Sequence, residues 1–281
     1  MITASWLGQH FPQMKDFAPL GEGGQKWVFS ATHAMDGPVV FKLIKPNQNA
    51  DRVQREVLAV QQVRSPRVPH VMDAGVIDAP VGQCIWLREQ RVTGDSVRQV
   101  LRTRVLTVDE ARRLSLHVLE ALADVERAHI VHRDVKPDNV MRDDAGVFWL
   151  LDFGIARHLD LMSLTATNAL AGPGTLGYAP PEQARNHKRD VDGRADLFAL
   201  AVTLVECLTG RHPFRDGARD AAEVFRRVET TPLVVPAISG AGGGAFRDLI
   251  ATMGQRRVDC RPPNAAEALA WMREINNAAQ P

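Results

Sequence analysis

The chain has 281 residues, of which 45% are apolar and 24% charged, so it can bury a core large enough for one large domain or two joined lobes. Its 34 Lys and Arg nearly balance its 33 Asp and Glu, so net charge favours neither nucleic acid nor an anionic membrane as partner. The three cysteines form no Cys-x-x-Cys pair, which argues against a disulfide framework and a zinc site and predicts buried, reduced thiols in the cytoplasm. The start carries no signal-peptide pattern, and no apolar run is long enough to predict a membrane span.

Strand-like runs dominate the part of the chain before residue 94. Three short β-rich runs separated by turn residues predict antiparallel strands at Phe17–Leu20, Trp27–His33 and Val39–Lys45. Residues 51–63 place valines at steps of three and four, which predicts one helix. Two more strand-like runs follow, at Val68–Ile77 and Gly82–Arg91. This part of the chain is therefore predicted to form a five-stranded antiparallel sheet with one helix.

Helical periodicity takes over after Gly94. Thr107 and Glu110 form a capping box that opens a helix running to Ala128. A small hairpin is predicted around residues 140–151, and helices resume at Asp190–Gly210, Asp220–Val228, Gly244–Met253 and Asn264–Asn276. The segment 152–182 is rich in Gly, Pro, Thr and Ala. It is too long for an ordinary connector, which favours a functional loop.

The strongest local string is His132-Arg133-Asp134-Val135-Lys136-Pro137-Asp138-Asn139, and Asp152-Phe153-Gly154 follows thirteen residues after Asn139. Phosphoryl transfer needs one carboxylate to orient the attacking hydroxyl and oxygen ligands to hold magnesium. Asp134 suits the first task, and Asn139 and Asp152 suit the second. Lys136 is placed to reach the transferring phosphate as a point charge. Any one of these residues alone is as consistent with a turn or a core position, so the combination carries the prediction.

Together the two blocks resemble the catalytic loop and the magnesium loop of the protein kinase superfamily, in its bacterial eukaryotic-like (Hanks-type) Ser/Thr branch. The resemblance covers Phe17 to about Asn276. It implies an α+β bilobal fold, with an N-lobe over 14–93 and a mainly helical C-lobe over 94–277 that together make one kinase domain. It also implies transfer of the γ-phosphate of ATP to protein Ser or Thr hydroxyls, with Asp134 and Lys136 as catalytic residues and Mg²⁺ or Mn²⁺ held by Asn139 and Asp152.

The same resemblance implies nucleotide-binding residues in the N-lobe. Val39-Val40-Phe41-Lys42 is similar to the family's Val-Ala-Ile-Lys, so Lys42 is expected on the α- and β-phosphates and Val40 over adenine. The expected partner of Lys42 is Glu56, only fourteen residues further on. A glycine-rich loop is expected over the phosphates, although Lys26 stands at its third glycine position and a plain hairpin turn is the alternative. The implied ATP-binding set is Gly21, Glu22, Gly23, Gly24, Val28, Val40, Lys42, Glu56 and Met141.

Residues 152–182 resemble a kinase activation segment, with Pro180 where the family usually has alanine. Thr165 and Thr167 are the candidate phosphosites, and solvated loop threonines are the alternative. A phosphate on either threonine would pair with Arg133. Thr175 is expected to contact Asp134 and Lys136 at the substrate-docking end, which favours Ser/Thr substrates.

Further residues are expected to support the fold of the catalytic region. Asp196 resembles the residue that braces the catalytic loop, and Arg261 is expected to pair with Glu182. The expected partners are ATP and protein substrates with Ser or Thr, without nucleic acid or membrane, and a homodimer is one route to trans-autophosphorylation.

Three hypotheses of function stay open at this point. The first is an active kinase that autophosphorylates its activation loop. The second is a pseudokinase-like nucleotide-binding scaffold or switch, motivated by Lys26, Pro180 and the short interval from Lys42 to Glu56. The third is a small-molecule kinase with the same fold, against which the long activation segment, Thr175 and Glu182 stand.

Overall fold

The computed structural model describes residues 2–22, 25–46, 57–152, 176–184 and 191–279. Within these residues the chain forms two compact units. The first unit contains the residues up to Arg64 together with Pro69–Val92, and the second contains Ser65–Val68 and the chain from Thr93 onward. Six of the predicted site residues lie outside the described ranges, namely Gly23, Gly24, Glu56, Thr165, Thr167 and Thr175. Phe153 and Gly154, which follow Asp152, lie outside them as well.

The first unit is built on the predicted five-stranded antiparallel sheet, which the structure confirms. Its strands are β1 (Met14–Glu22), β2 (Lys26–His33), β3 (Gly37–Ile44), β4 (Val71–Ala79) and β5 (Gly82–Gln90). They pair in the order β1-β2-β3-β5-β4, so β3 and β5 are interior strands. Helix α2 follows β3 in sequence and is present at residues 57–61, with Val57 and Val60 buried.

Helix α1 (Ala4–His10) precedes the sheet and was missed by the sequence prediction. The hydroxyl of Thr3 accepts the backbone N–H of Trp6 and caps the helix. Leu7 and Phe11 lie in one buried cluster with Phe41 of β3, so α1 covers one face of the sheet. Seven residues are too few to establish a periodicity, and the cap at Thr3 was the available signal.

The second unit is mainly helical, as predicted. Its main helices are α3 (Val97–Leu101), α4 (Val108–Arg127), α5 (Pro181–Ala184), α6 (Arg194–Thr209), α7 (Ala221–Thr230), α8 (Gly243–Met253) and α9 (Ala265–Ala278). The capping box of Thr107 and Glu110 is present at the start of α4. Helix α6 is buried from Ala195 to Cys207, on all sides, which identifies it as the central helix against which α4 and α8 pack.

A three-stranded sheet carries the loops of interest in the second unit. Its strands are β6 (Asp95–Ser96), β7 (Val140–Arg142) and β8 (Phe148–Leu150), paired in the order β6-β7-β8. Strands β7 and β8 are the predicted hairpin. A short 3-10 turn at Pro137–Asn139 leads into β7.

Two composition-based expectations can be compared with the structure. Cys84 and Cys207 are buried, whereas Cys260 is exposed, so the expectation of three buried thiols was wrong for Cys260. Cys260 is the last residue of a 3-10 turn (Val258–Cys260) that has no buried residues. No helix within the described ranges combines the length and the apolar composition needed to cross a bilayer.

We expect Leu7→Ala to lower the free energy of unfolding of the first unit by about 2–5 kcal/mol, because it empties a fully buried position in the cluster under α1. Urea denaturation followed by tryptophan fluorescence measures this change. Gln9→Ala on the exposed side of the same helix is the control and should change stability by less than about 0.5 kcal/mol. Equal effects of the two substitutions would show that α1 does not pack on the sheet.

Candidate active site

A buried carboxylate of α6 holds the chain segment that precedes Asp134. Asp196, in the first turn of α6, accepts the backbone N–H groups of His132 at 2.7 Å and Arg133 at 2.6 Å. Arg133 has a φ of +63°, a conformation that needs such outside support in a residue other than glycine. Burial raises the pKa of Asp196 to about 7, and the two amide hydrogen bonds oppose that rise.

On the loop that Asp196 supports, Asp134 contacts two other predicted residues, Lys136 and Asn139. The ammonium of Lys136 is 3.0 Å from each carboxylate oxygen of Asp134. The side-chain amide of Asn139 donates to the backbone carbonyl of Asp134 at 2.8 Å and to its Oδ2 at 2.7 Å. All three side chains are largely buried. Since the nitrogen of the Asn139 amide is used toward Asp134, its Oδ1 is the end directed away from these contacts.

Two hydrogen bonds bring the segment of Asp152 to the same loop. The backbone N–H of Leu151 donates to the carbonyl of Asn139 at 2.8 Å. The ring of His132 accepts the N–H of Asp134 at Nδ1 and donates from Nε2 to the carbonyl of Leu151 at 2.9 Å. Burial lowers the pKa of His132 to about 4, so its neutral ring is a structural link between the two segments.

The donor set of Asn139 and Asp152 fits a magnesium ion. An amide oxygen and a carboxylate are hard donors, and Mg²⁺ commonly takes one or two carboxylates and completes its shell with phosphate and water oxygens. Within the described ranges no group of three or more His, Cys, Asp or Glu is arranged to hold a metal. One amide oxygen and one carboxylate would leave the other coordination positions of a magnesium ion to phosphate and water oxygens.

In the first unit, Lys42 contacts a carboxylate that the sequence analysis did not single out. Its ammonium lies 2.5 Å from Oε2 of Glu89 on β5. The pairing of β3 with β5 was the missing information, because Glu89 is far from Lys42 in sequence. Its expected partner Glu56 is outside the described ranges.

The other described nucleotide-site candidates are spread over β1, β2, β3 and β7. Gly21 pairs with Val28 across β1 and β2, and Val40 is half-buried on β3. Glu22 is exposed and forms an ion pair with Lys45 at 2.9 Å, which lowers the pKa of its carboxyl. Met141 is half-buried on β7, in the second unit.

Arg261 and Glu182 form a bidentate ion pair, with N–O distances of 2.6 and 3.1 Å. The Arg261 side chain is fully buried. It also donates to the backbone carbonyls of Arg194, Gln255 and Arg256. One guanidinium therefore joins α5 to the start of α6 and to the turn before Arg261.

A second buried network, which the local sequence patterns did not predict, is centred on Arg98 of α3. Its guanidinium donates to Glu206 at 2.7 Å and to the hydroxyl of Tyr178 at 2.6 Å, and it contacts Asp138 at 3.2 Å. Tyr178 in turn donates to Glu206, and burial raises the pKa of the Tyr178 hydroxyl. The available signal was Glu206 itself, because a carboxylate in the nearly apolar stretch from Leu197 to Leu208 needs a partner.

A family model described as the protein kinase domain matches residues 14–269. Over 222 residues, 76% of this chain, the sequence is 33% identical to the "Probable serine/threonine-protein kinase PknB" of Corynebacterium glutamicum and covers 34% of that protein. Over 259 residues, 90% of this chain, it is 32% identical to the "Probable serine/threonine-protein kinase PkwA" of Thermomonospora curvata and covers 33% of it. The chain thus spans about a third of the length of these curated relatives.

His117 supplies a pH prediction for the second unit. Its Nδ1 accepts the backbone N–H of Phe148 at 3.0 Å, and burial lowers the pKa of its ring to about 4. Since this pKa is below that of the unfolded chain, the unfolded state takes up the proton first as the pH falls. The contribution of His117 to stability is present above about pH 6.5 and is lost between pH 6.5 and 4.

We therefore expect the stability difference between the wild type and His117→Gln to shrink by roughly 2 kcal/mol from pH 7 to pH 5. Denaturant unfolding at both pH values measures it. The subtraction cancels the other titrating groups, including Asp196 and Glu126, whose pKa values are raised by burial and act with the opposite sign. A difference that does not change with pH would contradict the assignment of a neutral buried ring.

Proposed function

The chain belongs to the protein kinase family, and on that premise we propose that it transfers the γ-phosphate of ATP to Ser or Thr hydroxyls of proteins. The observation that carries the proposal is the contact among Asp134, Lys136 and Asn139 on one buried loop. A loop that served only as a connector would not need to bury a carboxylate, an ammonium and an amide together, because each is costly to desolvate.

Asp134 is proposed to orient the attacking hydroxyl and to accept its proton. Its carboxylate accepts hydrogen bonds from both Lys136 and Asn139, so it is positioned before substrate arrives. Lys136 is proposed to reach the transferring phosphate as a point charge. Asn139 and Asp152 would hold Mg²⁺ or Mn²⁺, which would supply neutralisation of charge on the phosphates.

The nucleotide is proposed to bind through the first unit's predicted residues. In this proposal Lys42 binds the α- and β-phosphates, Val40 lies against adenine, and the glycine loop that begins at Gly21 covers the phosphates. Family membership supports these roles, and so does the placement of Lys42 and Val40 on one interior strand, two residues apart and thus on one face.

Regulation is proposed to act through Thr165 and Thr167, with one molecule phosphorylating another in a transient homodimer. Arg133 stands directly beside Asp134 and would pair with the added phosphate. The chain that follows this segment is firmly attached, by Tyr178 to Glu206 and by Glu182 to Arg261. Thr175 is proposed to help dock the substrate hydroxyl.

We expect Asp134→Asn to lower phosphate transfer at least 100-fold, because the amide cannot accept the hydroxyl proton. Transfer of labelled γ-phosphate to the protein itself and to a basic test protein measures this loss. A thermal shift with Mg-ATP should be retained, since Asp134 is not proposed to bind the nucleotide.

The matched control is Asp138→Asn, a carboxylate on the same loop that contacts Arg98 rather than Lys136. It should keep transfer within a few-fold of the wild type. Transfer by Asp134→Asn at the wild-type rate would refute the proposed base. Wild-type protein that shifts with Mg-ATP but transfers nothing would instead favour a nucleotide-binding scaffold.

A further inference from the structure

The ion pair between Lys42 and Glu89 lies inside the first unit. Only 9% of the Lys42 side chain and 12% of the Glu89 side chain are exposed, and the two charged atoms are 2.5 Å apart. A carboxylate this poorly solvated is costly unless a cation stays beside it. The low exposure of Glu89 indicates that its carboxylate serves the contact with Lys42 rather than solubility.

The strand register explains why these two residues meet. Lys42 is opposite Leu87, and Glu89 is opposite Val40, so Glu89 is the diagonal neighbour of Lys42 on the same face of the sheet. The alternate residues of β3, among them Phe41, belong to the buried cluster with Leu7 and Phe11 on the other face. Both strands are interior strands of the sheet, and paired interior strands are the part of a unit least free to move.

We propose that Glu89 is a positioning residue for Lys42. Glu89 holds the ammonium at a fixed place on the face of the sheet that also carries Val40. Less conformational freedom of the Lys42 side chain is then lost when the ammonium binds the phosphates of ATP. The inference rests on the proposed function, in which Lys42 binds these phosphates.

The ion pair is chemically compatible with phosphate binding. An ammonium has three N–H donors, so Lys42 can keep one on Glu89 while others reach phosphate oxygens. Family resemblance assigns the carboxylate partner of Lys42 to Glu56. Glu89 is an additional carboxylate supplied by the sheet itself, and its position is set by β5 rather than by the segment around residue 56.

The test compares the kinetics of Glu89→Gln, Glu89→Asp and a control, Asp36→Asn. Glu89→Gln should raise the KM for Mg-ATP about tenfold and change kcat less than about threefold. The reason is that the substitution weakens nucleotide binding by Lys42 and leaves the groups proposed for phosphate transfer unchanged. Glu89→Asp keeps the charge on a shorter side chain and should raise KM by less. Asp36→Asn removes the ion pair of Arg88, the neighbour of Glu89 on β5, and should leave KM unchanged.

A second readout needs neither nucleotide nor activity. An amine-acylating reagent is applied at pH 8, and the labelling rate of Lys42 is followed by peptide mass spectrometry. Glu89→Gln should speed labelling several-fold, because a buried ammonium that loses a carboxylate partner gives up its proton more readily. Asp36→Asn should label at the wild-type rate.

The outcomes separate the two claims. Wild-type protein that neither binds nor uses Mg-ATP defeats the proposed function, and faster labelling in Glu89→Gln would still establish the hold of Glu89 on Lys42. An active wild type with an unchanged KM in Glu89→Gln overturns the positioning role. If Glu89→Gln does not fold, a wild-type KM in Glu89→Asp overturns it instead.

Discussion

The carboxylate of Asp196 captures two successive backbone amides, and the arrangement of the candidate site follows from that contact. Burying a carboxylate is unfavourable unless donors reach it, and the N–H groups of His132 and Arg133 supply them. With both amides fixed, the ring of His132 points to the carbonyl of Leu151. Asp134 directly follows Arg133, whose N–H is bound by Asp196. Asp152 directly follows Leu151, whose carbonyl is bound by His132. The backbone next to each of the two aspartates is therefore held in place.

Buried charged side chains with a direct partner also occur in other parts of the described chain. Arg261 with Glu182, Arg98 with Glu206, and Lys42 with Glu89 are all pairs in which little of either charge reaches solvent. Such pairs add little net stability, but removing one partner leaves an uncompensated buried charge. Their value here is geometric, because each fixes a segment that carries site residues. Arg261 holds the end of the predicted activation segment, and Arg98 contacts Asp138 on the loop that carries Asp134.

Local sequence patterns predicted the strands and helices, whereas contacts between residues far apart in sequence were found only in the structure. The strands around Phe41 and the helix capped by Thr107 could be predicted because alternation and capping are properties of neighbouring residues. The contact between Glu89 and Lys42 could not be predicted, since it depends on which strand lies beside β3 and in which register the two strands pair. Helix α1 was missed because its one buried leucine, Leu7, makes no periodic pattern. The string from His132 to Asn139 stood out since its chemistry is concentrated in eight residues.

A crystal structure with Mg²⁺ and a non-hydrolysable ATP analogue is the most direct test of the central claim, that the loop braced by Asp196 presents oxygen ligands for a metal. The account predicts a metal about 2.1 Å from Oδ1 of Asn139 and from a carboxylate oxygen of Asp152. It also predicts that Asp196 keeps both amide contacts. A bound analogue whose metal touches neither of these ligands would contradict the account.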